Sequence, residues 1–190
     1  MTSTTRSADA LLDAALASIA ENGLDALTLS AVATRAGVSR ATAYREFGDK
    51  EGLISAVGRT EVARMVAAAY TTVDLFAPIP QLARTATLFA LEYLRNHPAF
   101  GYVRAHEPGH LLALVVAEGE SRLNLVETVA SFAEPVVAAR GDAGLALPAR
   151  QAAEVVVRIV LSHVLLPGSA LSDEQVADTA ARAITEADSG

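Results

Sequence analysis

Hydrophobic residues recur along this chain at intervals of three and four, the spacing that places side chains on one face of an α-helix. The first such run covers residues 11–20 and ends at Asn22-Gly23, a typical helix stop. Two shorter runs follow, separated by Gly37; they open at Thr28 and Ser39, whose hydroxyls suit the N-cap position. No segment alternates with the two-residue period of a β-strand, so the pattern predicts an all-α fold.

A long fourth helix is predicted from Lys50 to about residue 73, because Asp49 can cap its start and the prolines of "DLFAPIP" follow its end. This proline-containing linker is the strongest candidate for a boundary between a small N-terminal unit and a larger C-terminal one, bridged by the long helix. The remaining periodic segments predict helices near 79–96, 98–105, 108–117, 119–140, 149–166 and 172–187.

The composition fits a single chain with a hydrophobic core and no covalent cross-links. Its 190 residues are enough to bury a core, and the absence of cysteine excludes disulfides and thiolate metal or redox sites. The N-terminus lacks the long apolar run of a secretory signal. The most apolar stretch, "VVVRIVLSHVLL", is interrupted by Arg158 and His163 and is shorter than the ~18–20 residues that cross a bilayer. We therefore expect a cytoplasmic protein with no membrane partner.

Cationic side chains are concentrated in residues 28–50, although the chain carries a formal net charge of −7. This segment holds Arg35, Arg40, Arg45 and Lys50, the only lysine, against two carboxylates; it carries +2, and the rest of the chain carries −9. A small cationic surface on an acidic body suits specific contact with a polyanion and opposes indiscriminate adhesion to one.

The two short helices and their glycine-centred turn are typical of a helix-turn-helix, whose second helix enters the major groove of DNA. At ~100° per residue, Ala43 and Phe47 face the core, whereas Ala41, Thr42 and Arg45 face the other way. Small side chains let the helix approach base edges. Thr42 can reach a base or a thymine methyl, and Arg45 can pair with guanine or phosphate.

Two further side chains are placed for phosphate oxygens. Tyr44 lies at the border of the DNA-facing side, and Lys50 opens the fourth helix, whose N-terminal dipole also favours an anion. The alternatives are that Tyr44 belongs to the core and that Arg40 and Arg45 are solvated surface charges. Arg35 faces away from the second short helix and is expected to be a plain surface charge.

Several motifs occur in order within residues 8–55: a first helix ending in Asn-Gly, Thr28 opening the second, "AGVS", Tyr44 and Phe47 as "Y-x-x-F", and "DKEGL". In this order they resemble the TetR family of transcriptional regulators. The resemblance implies a dimeric, all-helical repressor whose first three helices bind a palindromic operator and whose C-terminal helices bind an inducer. Ala43 stands where the family usually has a larger aliphatic residue, so we expect the recognition helix to be seated slightly deeper. By position, the family's DNA-contacting sites fall on Thr28, Ser30, Ser39, Arg40, Ala41, Thr42, Tyr44, Arg45 and Lys50.

The expected organisation is a helix-turn-helix DNA-binding domain at residues 1–50 and a helical ligand-binding and dimerisation domain at 51–190, connected by the long helix 50–73. Clustered aromatic and polar-capable side chains in the second domain predict a mostly apolar ligand pocket, with plain core filling as the alternative. These side chains are Phe89, Tyr93, Phe100, Tyr102, His106, His110 and Phe132. The valine- and alanine-rich helices 119–140 and 149–166 are expected to pair with their two-fold mates, as in family members. The predicted interface residues are Leu123, Val126, Ala130, Ala133, Val137, Val156, Ile159, Val160 and His163.

Residues 106–110, "HEPGH", match H-E-x-x-H, the helix signature of zinc proteases. That chemistry needs both imidazoles on one helical face, with Glu107 as general base. Proline costs ~3 kcal/mol and glycine ~1 kcal/mol in a helix interior, so we expect Pro108 to open a new helix instead. A small helical metal-dependent enzyme using His106, Glu107 and His110 is the alternative function.

The sequence therefore predicts a DNA-binding transcriptional regulator, expected to be a homodimeric repressor of a palindromic double-stranded DNA operator, released by an unidentified hydrophobic small molecule. No catalytic residue, metal or cofactor is expected. A helical adaptor that has lost DNA binding is a third interpretation, against which Thr42, Tyr44, Arg45 and Lys50 argue. Because the fourth helix would touch both the DNA-binding helices and the aromatic cluster, we expect it to carry the ligand signal.

Overall fold

The computed structural model describes residues 3–116, 125–139, 144–166 and 168–186. The regular structure in these ranges is α-helical, which confirms the predicted fold class. The helices are α1 (Ser3–Asn22), α2 (Leu29–Arg35), α3 (Arg40–Phe47), α4 (Lys50–Thr72), α5 (Ile79–Asn96), α6 (Pro98–His106), α7 (Pro108–Val116), α8 (Leu125–Ala138), α9 (Ala149–Leu165) and α10 (Asp173–Ile184). Of the predicted helices, residues 117, 119–124, 140 and 187 lie outside the described residues.

Helix starts coincide with the residues whose side chains can cap them. The side chain of Thr28 accepts a hydrogen bond from the amide of Ala31 at the start of α2. The side chain of His97, the residue before Pro98, accepts one from the amide of Phe100 at the start of α6. Ser172 and Gln175 form a reciprocal capping box at α10. Each cap satisfies amides that have no partner inside the helix, which is why the boundaries could be predicted from local sequence.

The C-terminal helix ends earlier than the predicted residue 187. Thr185 leaves the helix and forms an isolated antiparallel bridge with Leu145. The amide of Ala146 donates to the carbonyl of Ile184 at 3.0 Å, and that of Glu186 donates to the carbonyl of Gly144 at 3.2 Å. Pairing with residues 144–146 thus replaces the last predicted helical turn. No local sequence pattern predicts this pairing.

The chain divides into two compact units that differ from a simple N-terminal and C-terminal split. Unit 1 comprises Met1–Glu61 and His97–Asn124, and unit 2 comprises Val62–Asn96 and Leu125–Gly190. Unit 1 therefore contains the described helices α1 to α3, the start of α4, and α6 and α7. These units are defined by packing, whereas the predicted boundary near residue 50 divides DNA binding from ligand binding and dimerisation. That functional boundary stays a prediction.

Unit 1 is built around the contacts of α1 with α2 and α6, with α2 packed on α3 and α6 on α7. Its fully buried side chains include Leu11, Leu27, Val32 and Leu53. Burial of one such aliphatic side chain stabilises the folded state by ~1.5–3 kcal/mol. The two short helices α2 and α3 would be marginal in isolation, so this packing is what holds them in place.

Unit 2 pairs α5 with α10 and α8 with α9, and α9 also contacts α5 and α10. Leu91 is fully buried, and the buried hydroxyl of Thr87 donates to the carbonyl of Ala83 at 2.7 Å. Ion pairs also join its helices: Arg84 pairs with Asp178, Arg95 with Asp173, and Arg150 with Glu127 and Glu134. Within the described residues, no helix combines the length and the apolar character needed to cross a lipid bilayer.

Candidate nucleic-acid interface

The helix-turn-helix is fixed by caps at both of its helices and by the turn between them. Ser39 Oγ accepts a hydrogen bond from the amide of Thr42 at 3.1 Å, which starts α3. Gly37 has φ +67°, a left-handed conformation that L side chains rarely adopt. The amide of Val38 then donates back to the carbonyl of Ala33 at 3.0 Å. The sequence between the helices thus dictates a tight, defined turn.

Helix α3 has one buried and one open face, as the helical spacing predicts. Ala43 is fully buried and Phe47 is half-buried, whereas Ala41 and Arg45 are exposed. Thr42 is half-buried, and its hydroxyl lies 2.9 Å from Ser39 Oγ. The open face therefore presents small side chains toward its N-terminal end and a cation further along.

The other predicted contact residues lie beside this face. Tyr44 is 52% exposed, so its ring is not a core residue in this structure. Arg40 and Thr28 are also exposed, and Ser30 is half-buried in the first turn of α2. These residues occupy positions that a polyanion can reach; their contacts with DNA stay a prediction.

The cations of residues 28–50 differ in how firmly they are held. Arg35 binds Glu21 through two hydrogen bonds of 2.6 and 2.7 Å, which joins α2 to α1. The Arg35 guanidinium, through these hydrogen bonds, holds the pKa of Glu21 below its usual value. Arg45, whose side chain is 67% exposed, makes a single 3.2 Å contact with the neighbouring Glu46. Arg35 is therefore engaged within the protein, while Arg45 is held only by a weak surface pair.

Lys50 has a partner that the sequence did not suggest. Its Nζ donates to the backbone carbonyl of Asp25 at 2.9 Å, in the turn between α1 and α2. Asp49 Oδ1 accepts a hydrogen bond from the amide of Gly52 at 2.7 Å and so caps the start of α4, as predicted. The ammonium group is thereby positioned at the N-terminus of α4, where the helix dipole favours bound anions.

The "HEPGH" segment is not arranged as a zinc site. His106 ends α6, with its Nδ1 3.0 Å from the carbonyl of Tyr102, and Pro108 opens α7, as predicted. Glu107 accepts hydrogen bonds from the amides of Leu24 and Asp25. His110 Nε2 lies 2.8 Å from Asp25 Oδ1. Each of the three side chains has its own partner, and the described residues contain no group of three or more potential ligands placed to hold a metal.

Four of the seven predicted ligand-binding side chains form two ring pairs, one in each unit. Phe89 and Tyr93 lie one turn apart on α5 in unit 2, with ring centroids 5.8 Å apart. Tyr102 and His106 lie on α6 in unit 1, with centroids 4.4 Å apart. Phe100 is half-buried on α6, and Phe132 on α8 is 40% exposed. His110 is occupied by Asp25, as described above.

The predicted interface residues on α8 and α9 differ in their exposure. Val126, Ala130 and Val160 are buried within unit 2 of a single chain. Val137, Val156, Ile159 and His163 are half-buried; Val137 and Val156 pack against a core cluster of the same unit. Leu123 lies outside the described residues, as does the side chain of Ala133.

A groove of about 530 Å³ lies in unit 2 between the C-terminal end of α9, the segment that follows it, and α10. Ile159, His163 and Leu166 line it, together with Leu171 and Val176. Two of these, Ile159 and His163, are predicted interface residues, and none is a predicted ligand-binding residue.

Comparison with known proteins finds similarity in the N-terminal helices and over most of the chain. The sequence profile described as "Bacterial regulatory proteins, tetR family" matches residues 11–57. The HTH-type transcriptional regulator AlkX of Mycobacterium tuberculosis is 28% identical over 189 residues, which cover 93% of this chain and 82% of the relative.

Two solved structures share the fold over nearly the full length. The transcriptional repressor QsdR from R. erythropolis superposes with a TM-score of 0.71 at 21% identity, covering 98% of each chain. The TetR family repressor AlkX from Dietzia, implicated in biodegradation of n-alkanes, gives a TM-score of 0.69 at 22% identity and covers 92% of this chain and 90% of its own. Residues 11–57 thus match the tetR family of bacterial regulatory proteins, and the chain as a whole is similar in sequence and fold to TetR-family transcriptional regulators.

Proposed function

We propose that this protein is a homodimeric repressor that binds a palindromic DNA operator and releases it when a hydrophobic small molecule binds. The observation that carries the proposal is the open face of α3, with exposed Ala41 and Arg45 opposite the fully buried Ala43. A capped helix of this kind, with small side chains near its N-terminus and a cationic side chain further along, fits the major groove. The family consists of regulators and not of enzymes, so the metal-enzyme alternative is set aside.

Arg45 is the best candidate for reading a base. Its ion pair with Glu46 is exposed, and such pairs contribute only ~0–1 kcal/mol. Exchange of this partner for the O6 and N7 acceptors of a guanine costs little and gains a bidentate contact. Arg35, in contrast, would have to abandon two short hydrogen bonds to Glu21. The two arginines therefore have different roles although both lie in the cationic segment.

Lys50 is proposed to anchor a phosphate. Its ammonium group has three donors, and the carbonyl of Asp25 uses one of them. The remaining donors can bind a phosphate oxygen without loss of the contact with Asp25. A lysine in this role acts as a point charge, so it contributes affinity and register but no sequence preference.

Dimerisation is proposed through α8 and α9, because a palindromic operator needs two copies of α3 related by a two-fold axis. The half-buried Ile159 and the exposed Phe132 and Leu166 are apolar side chains that a second copy could cover. Interfaces of this kind are richest in aromatic and aliphatic residues at their centre. The buried Val126, Ala130 and Val160 then support the interface from beneath.

A hydrophobic effector is proposed on two grounds. The ring pair of Phe89 and Tyr93 in unit 2 supplies apolar surface with a polar edge, the usual lining of a small-molecule site. A repressor of the same fold is implicated in biodegradation of n-alkanes, which are wholly apolar compounds. We propose that Phe89 and Tyr93 contact the effector and that α4, which starts at Lys50, carries the signal toward DNA.

The DNA-binding roles are tested by the salt dependence of binding. We expect Lys50→Ala to weaken binding to every duplex and to lower the salt slope by about one unit, because one phosphate contact is lost. Arg45→Ala should also relax the preference at one base pair, a penalty of ~1–3 kcal/mol. The measurement is fluorescence anisotropy at several salt concentrations, with a duplex selected by the wild-type protein from a random pool and a scrambled duplex.

Arg35→Ala is the matched control, because it removes a cation of the same segment whose guanidinium is engaged by Glu21. We expect it to leave both the salt slope and the sequence preference unchanged. Unchanged binding by both Lys50→Ala and Arg45→Ala would remove the assignment of these residues to the interface.

A further inference from the structure

The turn between α1 and α2 is held by side chains from three other elements of unit 1. The first is Glu107, between α6 and α7. Its carboxylate accepts hydrogen bonds from the amide of Leu24 at 2.6 Å and from the amide of Asp25 at 3.0 Å. Both amides follow the last turn of α1. The Glu107 carboxylate therefore holds two adjacent backbone donors of this turn at once.

The turn also lies very close to α6. Gly23 has φ +82°, and a Cβ atom at this position would come within 3.0 Å of the Glu107 carboxylate and of the Tyr102 ring. Only glycine combines this backbone conformation with so little room. Glu107 and the helix ends on either side of it form the α6–α7 joint. The contact between the turn and this joint is tightly packed and includes oriented hydrogen bonds.

Asp25 connects the same turn to two further helices. Its carboxylate lies 2.8 Å from His110 Nε2 on α7, and its carbonyl accepts the hydrogen bond from Lys50 at the start of α4. The proposed phosphate anchor and the α6–α7 joint therefore meet at one residue. The turn leads directly into α2, which packs on α3.

We propose that Glu107 is a positioning residue for operator binding: it fixes the α1–α2 turn to the α6–α7 joint and thereby sets the position of the recognition helix. The inference rests on the proposed function and deepens it. A displacement of α6 and α7 must either carry the turn with it or break two hydrogen bonds to a charged acceptor. Because packed contacts of this kind hold discrete arrangements, a shift at the joint is transmitted to α2 and α3.

The inference also gives the "HEPGH" segment a role that does not involve a metal. Pro108 starts a new helix directly after Glu107, so the carboxylate stands at the junction of two helices. Glu107 and His110 then both point to residues of the α1–α2 turn. A zinc protease would instead need His106 and His110 on one helical face.

The test uses Glu107→Gln, which has nearly the same shape but presents an amide donor to one of the two backbone donors. The full-length protein is titrated with a duplex selected by the wild type, with a scrambled duplex, and with selected duplexes whose half-sites are moved apart or together by one base pair. We expect Glu107→Gln to weaken binding to the selected duplex about 10-fold, to leave binding to the scrambled duplex unchanged, and to discriminate less between half-site spacings.

Amide hydrogen exchange supplies a local readout, because the amides of Leu24 and Asp25 should exchange faster while the amides within α1 are unaffected. Glu92→Gln, an exposed carboxylate on α5, is the matched control and should change none of these quantities. Glu107→Asp, which keeps the charge but withdraws the carboxylate, should behave like Glu107→Gln and decides the question if the glutamine variant does not fold.

The possible outcomes separate the inference from the function on which it rests. If the wild type selects no duplex, the proposed function itself is wrong. If the wild type binds its duplex and Glu107→Gln keeps the same affinity and the same spacing preference, the positioning role is wrong. An equal loss of binding to selected and scrambled duplexes also overturns it, because that pattern indicates a general loss of folded protein.

Discussion

Gly52 provides a sharp test of how the recognition helix is fixed, because a single methyl group there would collide with backbone. A Cβ atom at residue 52, in the first turn of α4, would come well within 3.0 Å of the carbonyl oxygen of Phe47, the last residue of α3. That carbonyl also accepts a hydrogen bond from the amide of Asp49 at 2.9 Å. The end of the recognition helix therefore rests directly on the start of α4.

The expected effect of Gly52→Ala is a balance of opposing contributions. Alanine in a helix is favoured over glycine by ~1 kcal/mol. Against this, overpacking costs ~1–3 kcal/mol or more, and weakening the hydrogen bond to the Phe47 carbonyl costs a further ~0.5–1.5 kcal/mol. The obstacle is backbone, which cannot rotate away as a side chain can. We therefore expect a net destabilisation of ~1–3 kcal/mol and a displaced end of α3.

Gly101→Ala is the matched control, because it makes the same change within α6 of the same unit. A Cβ atom at Gly101 would meet nothing within 4 Å. Thermal unfolding followed by circular dichroism should shift by ~2–4 °C per kcal/mol for a chain of this size. Gly52→Ala should lower Tm and weaken binding to the selected duplex, while Gly101→Ala should leave Tm equal or higher. A Gly52→Ala protein that melts at or above the wild-type temperature would refute the reasoning.

Two further predictions concern unit 2. The Arg95 guanidinium, by hydrogen bonding to Asp173, holds the pKa of that carboxyl below its usual value. The ionised pair therefore stabilises the fold above the unfolded pKa of ~3.9. This stabilisation is lost as the pH falls through the lower pKa of the folded state. Asp173→Asn should therefore melt below the wild type at neutral pH, and the difference in Tm should shrink as the pH falls below the unfolded pKa; a difference that grows on acidification would contradict this. Ile159→Asp should place a charge in the proposed interface at a cost of several kcal/mol and give monomers in sedimentation at micromolar concentration. The exposed Gln151→Asp on the same helix should remain dimeric, and a well-folded Ile159→Asp dimer would exclude this interface.

Local sequence was sufficient to predict most helix boundaries. Thr28 and Ser39 cap α2 and α3, Pro98 and Pro108 open α6 and α7, and Gly37 makes the turn of the helix-turn-helix. These signals act within one turn of the chain, through amides and φ angles that the residue itself controls. Ala43 was likewise placed on the buried face by helical spacing alone.

Contacts between distant segments left no such signal. Glu107 lies more than 80 residues from Leu24 and Asp25, whose amides it binds. The attachment of Lys50 to the Asp25 carbonyl was also missed, because a backbone acceptor carries no residue preference. The close approach at Gly52 is an equally non-periodic feature, visible in the sequence only as a glycine in a helix.

The helical faces of the C-terminal half were harder to interpret for a different reason. Val126 and Val160 are apolar at helical spacing, and such spacing predicts burial but not the partner that causes it. In the structure these side chains are buried within a single chain. An apolar stripe that packs on its own unit and one that packs on a second copy look alike in sequence.

The most direct test of the account is to let the wild-type protein select duplexes from a random-sequence pool. The account predicts an enriched two-fold symmetric sequence whose half-sites lie about one helical turn apart, ~10 base pairs centre to centre. The selected duplex should bind one dimer, or a symmetric pair of dimers, with an affinity that falls as salt rises. Enrichment of no sequence, or of a single asymmetric site bound by one monomer, would contradict it.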